Sequence, residues 1–509
     1  MKILIIGGGV SGLSAGIYLL LAGHEVTVAE QHSAAGGNLT GWRRAGCTVD
    51  NCIHWLCGTD PRSKNHAMWE TLGVLGGVPV YYGESLYTVD LGGRSLSLYS
   101  DTERTERELL AVSPEDGPEI RRLMRAVRTA QAFGGTGTEN GLTSAQKAAG
   151  AASLVRYYRM TTGKLAARFR SPLIRKFISS FLTERFGALG LIFVFADFCA
   201  KNAGIPAGGS IAAAGRMAER FTGLGGSLLL NKKAIGTQRK GRRLTAVSFE
   251  DGSTLRADAF VFAQDPASVF GSILDIPMPK KLAALYKNSR LIRFSSLHCA
   301  FLAEVEKLPF TGDLITDLPA GAAQRLGSKH LALREYSYLE NSAPKGQSLL
   351  CGMAFCDERT ALRFIELRGD KAAYEAEKLA LAAAMAEAAE RELPELSGKL
   401  HCIDVWTPAT YRRFTGSRIG SYMSFAFSSR VIPRGVSCKT GLGNAVLATQ
   451  WLRPPGGLPI AAAEGKRAAE VLIKMSAGLE RTERNAAGRM LRIRLPLMRK
   501  RRRDPGTAV

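Results

Sequence analysis

The order of apolar and polar residues predicts a β-α-β unit at the start of the chain. Residues 2–6 form a short run rich in β-branched side chains, which is typical of a buried strand. Residues 10–22 carry apolar side chains at helical spacing, and residues 25–29 alternate as a second strand that ends at Glu30. This order predicts one unit of the kind that builds parallel sheets.

Strand-like and helical patterns are mixed further along the chain. The predicted elements are a hairpin over 84–100 with a glycine turn, a helix that starts at Ser113-Pro114, a β-rich block over 225–263, strands over 297–305, 330–333 and 348–355, and an alanine-rich helix over 370–393 that stops at Pro394. The chain therefore combines an α/β unit with α+β structure.

The composition is that of a globular protein with two or three hydrophobic cores. The chain has 509 residues, of which 46% are hydrophobic and 22% charged, and single cores stop growing near ~250–300 residues.

The longest uncharged apolar stretch, 186–196, is shorter than the ~18 residues that span a bilayer. The start of the sequence lacks a signal-peptide pattern. The nine cysteines form no CxxC pair, so we expect a cytoplasmic protein with reduced thiols.

The net charge of +23 is concentrated in two segments. Residues 141–183 contain eight Lys or Arg and no acidic residue, and residues 481–509 contain ten basic residues against Glu483 and Asp504. Such clustering indicates a polyanionic partner, either nucleic acid or an anionic membrane surface.

A glycine fingerprint connects the first strand to its helix. Gly7 permits a tight turn, Gly9 lets the backbone approach a pyrophosphate, and Gly12 lets helix and strand pack closely. The phosphates then lie on the helix N-terminus, and Glu30 can accept hydrogen bonds from ribose hydroxyls. In this strand-turn-helix-strand context the pattern predicts a dinucleotide site.

Two further motifs indicate which dinucleotide it is. Ala35-Gly36-Gly37-Asn38 follows Glu30, and Gln450-Trp451 leads through two prolines to Gly456-Gly457-Leu458 and an alanine-rich helix. Together they resemble the FAD-binding superfamily of amine oxidases and phytoene desaturases. The resemblance implies FAD rather than NAD(P), with cofactor contacts at Gly36, Gly37, Asn38, Gln450, Gly456, Gly457 and Leu458. It departs at Asn38, where the superfamily usually has Arg.

The closer likeness is to phytoene desaturase and retinol saturase. Asp50-Asn51-Cys52-Ile53-His54-Trp55 resembles a saturase segment near the flavin, although Cys52 replaces a glycine, and Thr407-Pro408-x-x-Tyr411 resembles the segment before the last cofactor motif. The central block is matched at Ala234, a position that would contact the flavin nucleotide. The resemblance implies an FAD-dependent oxidoreductase that desaturates, saturates or isomerises carbon-carbon bonds of an apolar polyene or isoprenoid lipid, such as a carotenoid.

Two alternatives stay open at this point. The same cofactor domain serves amine and porphyrinogen oxidation, and the superfamily also includes binding proteins without redox turnover. The departures at Asn38 and Cys52 keep the second alternative, a non-redox lipid-binding flavoprotein, under consideration.

His54 is the candidate catalytic residue, because a neutral imidazole can polarise or protonate a substrate. The alternative is a loop histidine bonded to the backbone. Cys47, Cys52 and Cys57 recur every five residues around it, but this spacing fits neither zinc pairs nor iron-sulfur runs. No metal site is expected.

These motifs predict an α/β fold with a Rossmann-type FAD-binding domain, discontinuous in sequence, and an inserted α+β substrate domain. The predicted segments are 1–83, 201–270 and 431–478 for the FAD-binding domain, 84–200 and 271–430 for the substrate domain, and 479–509 for a basic tail. The apolar helix over 186–199 is either a wall of a substrate tunnel or simple core.

The basic segments indicate which binding partners to expect. Residues 154–178 and the tail interleave Arg and Lys with apolar side chains, which is typical of helices that lie in a membrane interface, although a charged face over core is the alternative for 154–178. No groove-reading motif for nucleic acid is present. We expect an apolar lipid substrate and an anionic membrane surface as partners, no nucleic acid, and a peripheral location on the inner face of the cell membrane. The sequence leaves the oligomeric state open.

Overall fold

The computed structural model describes residues 1–133, 143–429 and 435–475. Its strands are β1 (Lys2–Ile6), β2 (Glu25–Ala29), β3 (Gly41–Arg44), β4 (Cys47–Asp50), β5 (Leu56–Cys57), β6 (Val80–Tyr81), β7 (Ser85–Leu91), β8 (Arg94–Tyr99), β9 (Ala203–Pro206), β10 (Ser227–Leu229), β11 (Ala234–Lys240), β12 (Arg243–Phe249), β13 (Thr254–Arg256), β14 (Ala259–Phe262), β15 (Leu291–Ile292), β16 (Phe294–Ala303), β17 (Asp313–Asp317), β18 (His330–Glu335), β19 (Ser348–Asp357), β20 (Leu400–Trp406), β21 (Ala426–Phe427) and β22 (Ala445–Leu447).

The helices lie between these strands in the chain. They are α1 (Val10–Leu21), α2 (Lys64–Thr71), α3 (Thr102–Val112), α4 (Gly117–Ala132), α5 (Ser144–Tyr158), α6 (Thr162–Ala166), α7 (Pro172–Ser180), α8 (Ala188–Cys199), α9 (Gly209–Gly223), α10 (Pro266–Ser268), α11 (Lys280–Lys287), α12 (Ala320–Leu326), α13 (Glu358–Leu367), α14 (Lys371–Glu392), α15 (Pro408–Thr415) and α16, which is described over 458–475.

A parallel sheet of five strands, in the order β10-β2-β1-β14-β22, forms the first layer. Its strands come from residues 2–29, 227–262 and 445–447, so the sheet is assembled from three separate parts of the chain. The predicted α/β fold with a discontinuous Rossmann-type domain is confirmed. The individual domain boundaries stay predictions, and the tail over 479–509 lies outside the described residues.

A second, mixed sheet has seven strands in the order β20-β16-β19-β18-β17-β7-β8. One face packs on helices α12, α13 and α14 through alternate apolar residues such as Leu297, Leu333 and Ala354. The opposite face carries His298, Met353 and other residues that border a cavity. This two-faced sheet forms the floor of the site.

Most predicted elements are present, with shifted ends. The predicted first strand and second strand are confirmed, the first helix ends one residue early at Leu21, and the hairpin over 84–100 is the pair β7-β8. The helix expected from Ser113-Pro114 begins with a short 3-10 turn over Pro114–Asp116 before α4. The alanine-rich helix is α14, whose N-cap Asp370 accepts a hydrogen bond from the Ala373 N–H.

The segment over 154–178 differs from the expected interfacial helix. It forms parts of α5, α6 and α7, and its apolar side chains, among them Tyr157, Phe169 and Phe177, are buried in the protein's own core. The expectation of a free apolar face here is wrong, because these side chains cover α4 and α8 instead. The segment instead matches the alternative, in which a charged, solvent-facing side covers the core. None of the helices within the described ranges combines the length and the hydropathy that crossing a membrane requires.

Candidate functional site

A cavity of about 680 Å³ lies between the two sheets. The predicted site residues that line it are Gly7, Gly9, Glu30, Gly36, Gly37, Asn38, His54, Ala234, Gln450, Gly456, Gly457 and Leu458. Gly12 is the one predicted residue that does not line it. The structure thus brings together motifs from both ends and the middle of the chain.

The glycine turn is held by close backbone packing. Gly7 has a φ of 104°, a conformation that favours glycine, and a Cβ added at Gly12 would lie 1.9 Å from the Gly7 carbonyl oxygen. Gly9, in contrast, borders the cavity, and a Cβ there would come no closer than 3.7 Å to any protein atom. Gly12 therefore serves helix packing, and the space beside Gly9 is left for a ligand.

Glu30 ties the second strand to this turn. Its carboxylate accepts hydrogen bonds from the Gly8 N–H at 2.7 Å and the His32 N–H at 3.0 Å. Burial raises the pKa of Glu30, and these hydrogen bonds oppose that rise. Each carboxylate oxygen can accept a further hydrogen bond, so Glu30 can still bind a hydroxyl from the cavity.

The C-terminal motif closes the opposite side of the cavity. Gln450 accepts a hydrogen bond from the Gly457 N–H at 2.7 Å and donates one to the Tyr422 carbonyl at 3.2 Å. A Cβ at Gly456 would lie 2.5 Å from the Gln450 Oε1, so glycine is required there. Asn38 donates to the same Tyr422 carbonyl at 3.4 Å. The arrangement places the first turn of α16 at the cavity.

The loop with Cys52 and His54 is anchored by a buried aspartate. Asp50 accepts hydrogen bonds from the Ser210 N–H at 2.6 Å and the Cys52 N–H at 3.1 Å, and its carboxylate also bonds the Ser210 hydroxyl. The Ile53 N–H donates to Ser210 Oγ at 2.8 Å. These bonds fix the loop against the start of α9, so His54 is held at the cavity wall.

His54 is neutral in this environment. Burial lowers its pKa well below the usual range, and the nearby charge of Arg334 adds to the effect. A neutral imidazole can donate or accept a hydrogen bond. It cannot serve as a standing positive charge.

Sequence reasoning missed a second histidine at the cavity. His298 Nε2 lies 2.7 Å from Ser296 Oγ and 3.2 Å from Tyr411 Oη, and the Tyr411 hydroxyl donates to Asn51 Oδ1 at 2.8 Å. The His298 ring stacks on Trp406 at 4.9 Å and 11°. Burial lowers the pKa of His298 to about 3. The available signal was a titratable residue inside a largely apolar strand.

A buried ion pair lies behind this part of the wall. Arg334 Nε donates to Asp313 Oδ1 at 2.6 Å, and the two side chains are only 7% and 3% exposed. Asp313 lines the cavity. The charge of Arg334 contributes to the lowered pKa of His54.

Apolar side chains form a large part of the remaining cavity wall. Helix α8 turns Gly190, Phe193 and Val194 toward the cavity, while Leu191 and Phe195 pack into the core. One face of this helix therefore borders the cavity and the other is core, and its role as the wall of a substrate tunnel stays a prediction. On the sheet, Ala332, Met353 and His298 form one row across β18, β19 and β16. This end of the cavity suits a hydrocarbon chain.

One polar atom of the wall has no protein partner. Gln264 follows β14 beside Gly7, and its Oε1 is buried without a hydrogen-bond partner among the described residues. An unsatisfied buried acceptor indicates a ligand or water at that position. It lies at the same end as the glycine turn.

Known proteins share this fold. Residues 5–72 match the family described as an NAD(P)-binding Rossmann-like domain. No curated protein matches the sequence. An oxidoreductase from Methanosarcina mazei is similar in structure with a TM-score of 0.60 at 13% identity, over 93% of this chain and 100% of its own.

Two amine oxidases are also similar. A redesigned putrescine oxidase gives a TM-score of 0.59 at 15% identity, over 93% of this chain and 98% of its own. Cyclohexylamine oxidase from Brevibacterium oxydans gives 0.56 at 15% identity, over 94% and 99%. At these identities the likenesses show the fold, an α/β architecture with a Rossmann-type dinucleotide-binding unit that is interrupted by an α+β domain.

Proposed function

We propose that this chain is an FAD-dependent oxidoreductase that acts on carbon-carbon bonds of an apolar polyene or isoprenoid lipid, such as a carotenoid. One observation carries the proposal: a single cavity runs from the glycine turn of the Rossmann unit to a wall of aromatic and aliphatic side chains. A dinucleotide at one end and a hydrocarbon at the other would meet inside it.

The residues at the polar end fit FAD. Helix α1 begins at Gly9 without a side-chain cap, so its first N–H groups can bind a pyrophosphate. Glu30 would hold ribose hydroxyls, and α16 starts at the opposite side, where Gly457 and Leu458 border the cavity. When bound, the flavin would supply the site that accepts or delivers hydride. The protein contributes orientation and the exclusion of water.

The charges around the cavity favour a neutral substrate over an amine. All four carboxylates that line its described wall already accept hydrogen bonds from the protein: Glu30 from Gly8, Asp197 from Asn202, Asp265 from Arg418, and Asp313 from Arg334. Of these, Asp313 is already paired with the charge of Arg334, so an ammonium group beside this pair would be buried without a counter-charge of its own, which is costly. A hydrocarbon has no such cost.

The neutral polar groups on the apolar wall suit proton transfer. Desaturation of a carbon-carbon bond removes a hydride from one carbon and a proton from its neighbour. Because burial lowers the pKa of both histidines, His54 and the pair Tyr411–His298 would relay that proton along hydrogen bonds rather than hold it as a charge. We propose His54 as the first of these, with Tyr411 as the second candidate.

A lipid substrate requires access to a bilayer. We propose that the basic tail over 481–509, which lies outside the described residues, binds an anionic membrane surface and keeps the protein peripheral on the inner face of the cell membrane. Basic residues in 154–178 support this less, since Arg156 and Arg168 pair with Glu119, and Lys176 with Asp317.

Product analysis tests the proposal. The FAD-loaded protein is incubated with a polyene in anionic liposomes and, separately, with putrescine and with a porphyrinogen, each with oxygen or a quinone as acceptor or with a reductant. We expect the polyene to gain or lose hydrogen pairs, seen by mass spectrometry. Turnover of the amine or the porphyrinogen alone would support the alternative of an amine- or porphyrinogen-type oxidase. No turnover of any substrate by a fully loaded protein would support the non-redox lipid-binding alternative.

A further inference from the structure

Two cysteines lie in contact on neighbouring strands of the second sheet. Cys299 in β16 and Cys402 in β20 have their sulfur atoms 3.4 Å apart. Cys299 is fully buried, whereas Cys402 is exposed. All nine cysteines lie in the described part of the chain, and Cys402 alone among them is exposed. The pair thus joins an accessible thiol to a protected one.

An irregularity in the strand pairing creates this contact. Ala300 pairs with Asp404, but the next residue, Phe301, pairs with Cys402, so Ile403 is an extra residue in β20. In a regular ladder Cys402 would oppose Leu302, on the other face of the sheet from Cys299, because side chains alternate. The bulge turns Cys402 to the face of Cys299, which is a known use of such irregularities.

We propose that Cys299 and Cys402 form an oxidisable dithiol site that reacts with a hydroperoxide and closes to a reversible cross-strand disulfide. With hydrogen peroxide as the hydroperoxide, the Cys402 thiolate attacks one oxygen and the O–O bond breaks. The hydroxide that leaves takes up the proton released when the thiol ionised and becomes water, so that Cys402 becomes a sulfenic acid. The Cys299 sulfur then attacks the Cys402 sulfur, the S–O bond breaks, and a second water leaves. Two thiols are oxidised and one peroxide is reduced to two waters.

The environment assigns the two roles. Either sulfur can donate the hydrogen bond between the two thiols; donation from Cys299 lowers the pKa of Cys402, while burial raises the pKa of Cys299. The thiolate is the reactive form of cysteine. Cys402 is therefore the peroxide-reactive residue and Cys299 the resolving one.

The bond would link β16 to β20 directly behind the cavity wall. His298 and Trp406, which stack on each other, belong to the same two strands and oppose each other across the ladder. They lie on the cavity face, and the cysteines lie on the face that packs on the helices. The site is independent of the proposed lipid chemistry and stands or falls without it.

Peroxide titration of the full-length, fully reduced protein tests the site. We expect loss of two thiols, an intact mass lower by two hydrogens, a Cys299–Cys402 cross-linked peptide, and full reversal by dithiothreitol. In Cys299→Ala, a sulfenic acid on Cys402 is expected to be trapped by dimedone. Cys402→Ser is expected to form no disulfide, and the control Cys199→Ser is expected to respond as the unmodified chain does.

Three results would overturn the proposal. They are retention of all thiols in the unmodified chain at peroxide concentrations that oxidise free cysteine, a disulfide of Cys402 formed only between two molecules, and oxidation of Cys402 to the sulfinic acid with Cys299 still reduced. Each is read on the unmodified chain, so a variant that fails to fold does not obscure the result.

Discussion

Gly9 faces the part of the cavity that a pyrophosphate would occupy. A Cβ added at Gly9 lies 3.7 Å from the nearest protein atom, so the protein accepts a Cβ there, and the larger side chain of Gly9→Val would enter the space left for the ligand. We expect loss of FAD retention while the unfolding free energy changes by about 1 kcal/mol or less. Flavin absorbance after gel filtration and urea unfolding measure the two effects.

Two other glycines serve as controls for this variant. Gly12→Ala would press a methyl group onto the Gly7 carbonyl, and we expect it to destabilise the fold by about 1–3 kcal/mol. Gly215 in α9 has no atom within 4 Å of an added Cβ, so Gly215→Ala is expected to keep both flavin and stability. A yellow, fully loaded Gly9→Val protein would refute the cofactor site.

His298 makes the stability depend on pH. Its pKa is about 3 in the folded protein and about 6.5 in an unfolded chain. Below pH 6.5 the unfolded chain therefore binds the proton first, and stability falls by up to about 1.4 kcal/mol per pH unit. His298→Gln is expected to reduce the loss of unfolding free energy between pH 6.5 and pH 5 by about 1.6 kcal/mol.

The exposed His401 provides the matched control for this prediction. Urea unfolding at both pH values is compared for His298→Gln, His401→Gln and the unmodified chain. An unchanged pH dependence in His298→Gln, or an equal change in His401→Gln, would contradict the buried neutral state of His298.

Some residues of the site could be predicted from the sequence and others could not. Gly7, Gly9 and Glu30 were predictable, because their roles depend on a local strand-turn-helix pattern. His298 and Asp313 were not, because they reach the cavity through pairing of distant strands. Their strands are buried on both faces and therefore lack the alternation that would mark the cavity side.

Helix α8 separates two functions on its two faces. Phe193 borders the cavity, and Phe195, two residues on, is 1% exposed and lies in the core. We expect Phe193→Ala to weaken polyene binding about tenfold, a loss of about 1.4 kcal/mol, with little change in stability. Phe195→Ala is expected to cost about 3–5 kcal/mol of stability.

Fluorescence quenching by a bound polyene and denaturant unfolding distinguish the two phenylalanine variants. Equal polyene affinity in Phe193→Ala and the unmodified chain would remove α8 from the binding site. The sequence alone could not divide this helix, because its apolar residues cover both faces. Periodicity found α14 and the first β-α-β unit, whereas short strands such as β3 and β4 carry too few residues for a pattern.

At the scale of the whole molecule, the tail over 481–509 is a dense positive segment, with ten basic residues against Glu483 and Asp504. We expect truncation after Ala477 to weaken sedimentation with anionic liposomes, with the difference largest at low salt because salt screens these charges. Arg156→Gln with Arg168→Gln is the matched control, since both arginines already pair with Glu119. Liposome binding that is unchanged by truncation would exclude the tail as the membrane contact.

The visible absorption spectrum of the FAD-loaded protein under anaerobic conditions tests the central claim most directly. A polyene in anionic liposomes is added first to the oxidised protein and then to the protein after chemical reduction. We predict that the flavin bands bleach in the first case, for a desaturase, or recover in the second, for a saturase. Bands that respond to putrescine or cyclohexylamine and never to the polyene, or a folded protein that takes up no FAD, would contradict the account.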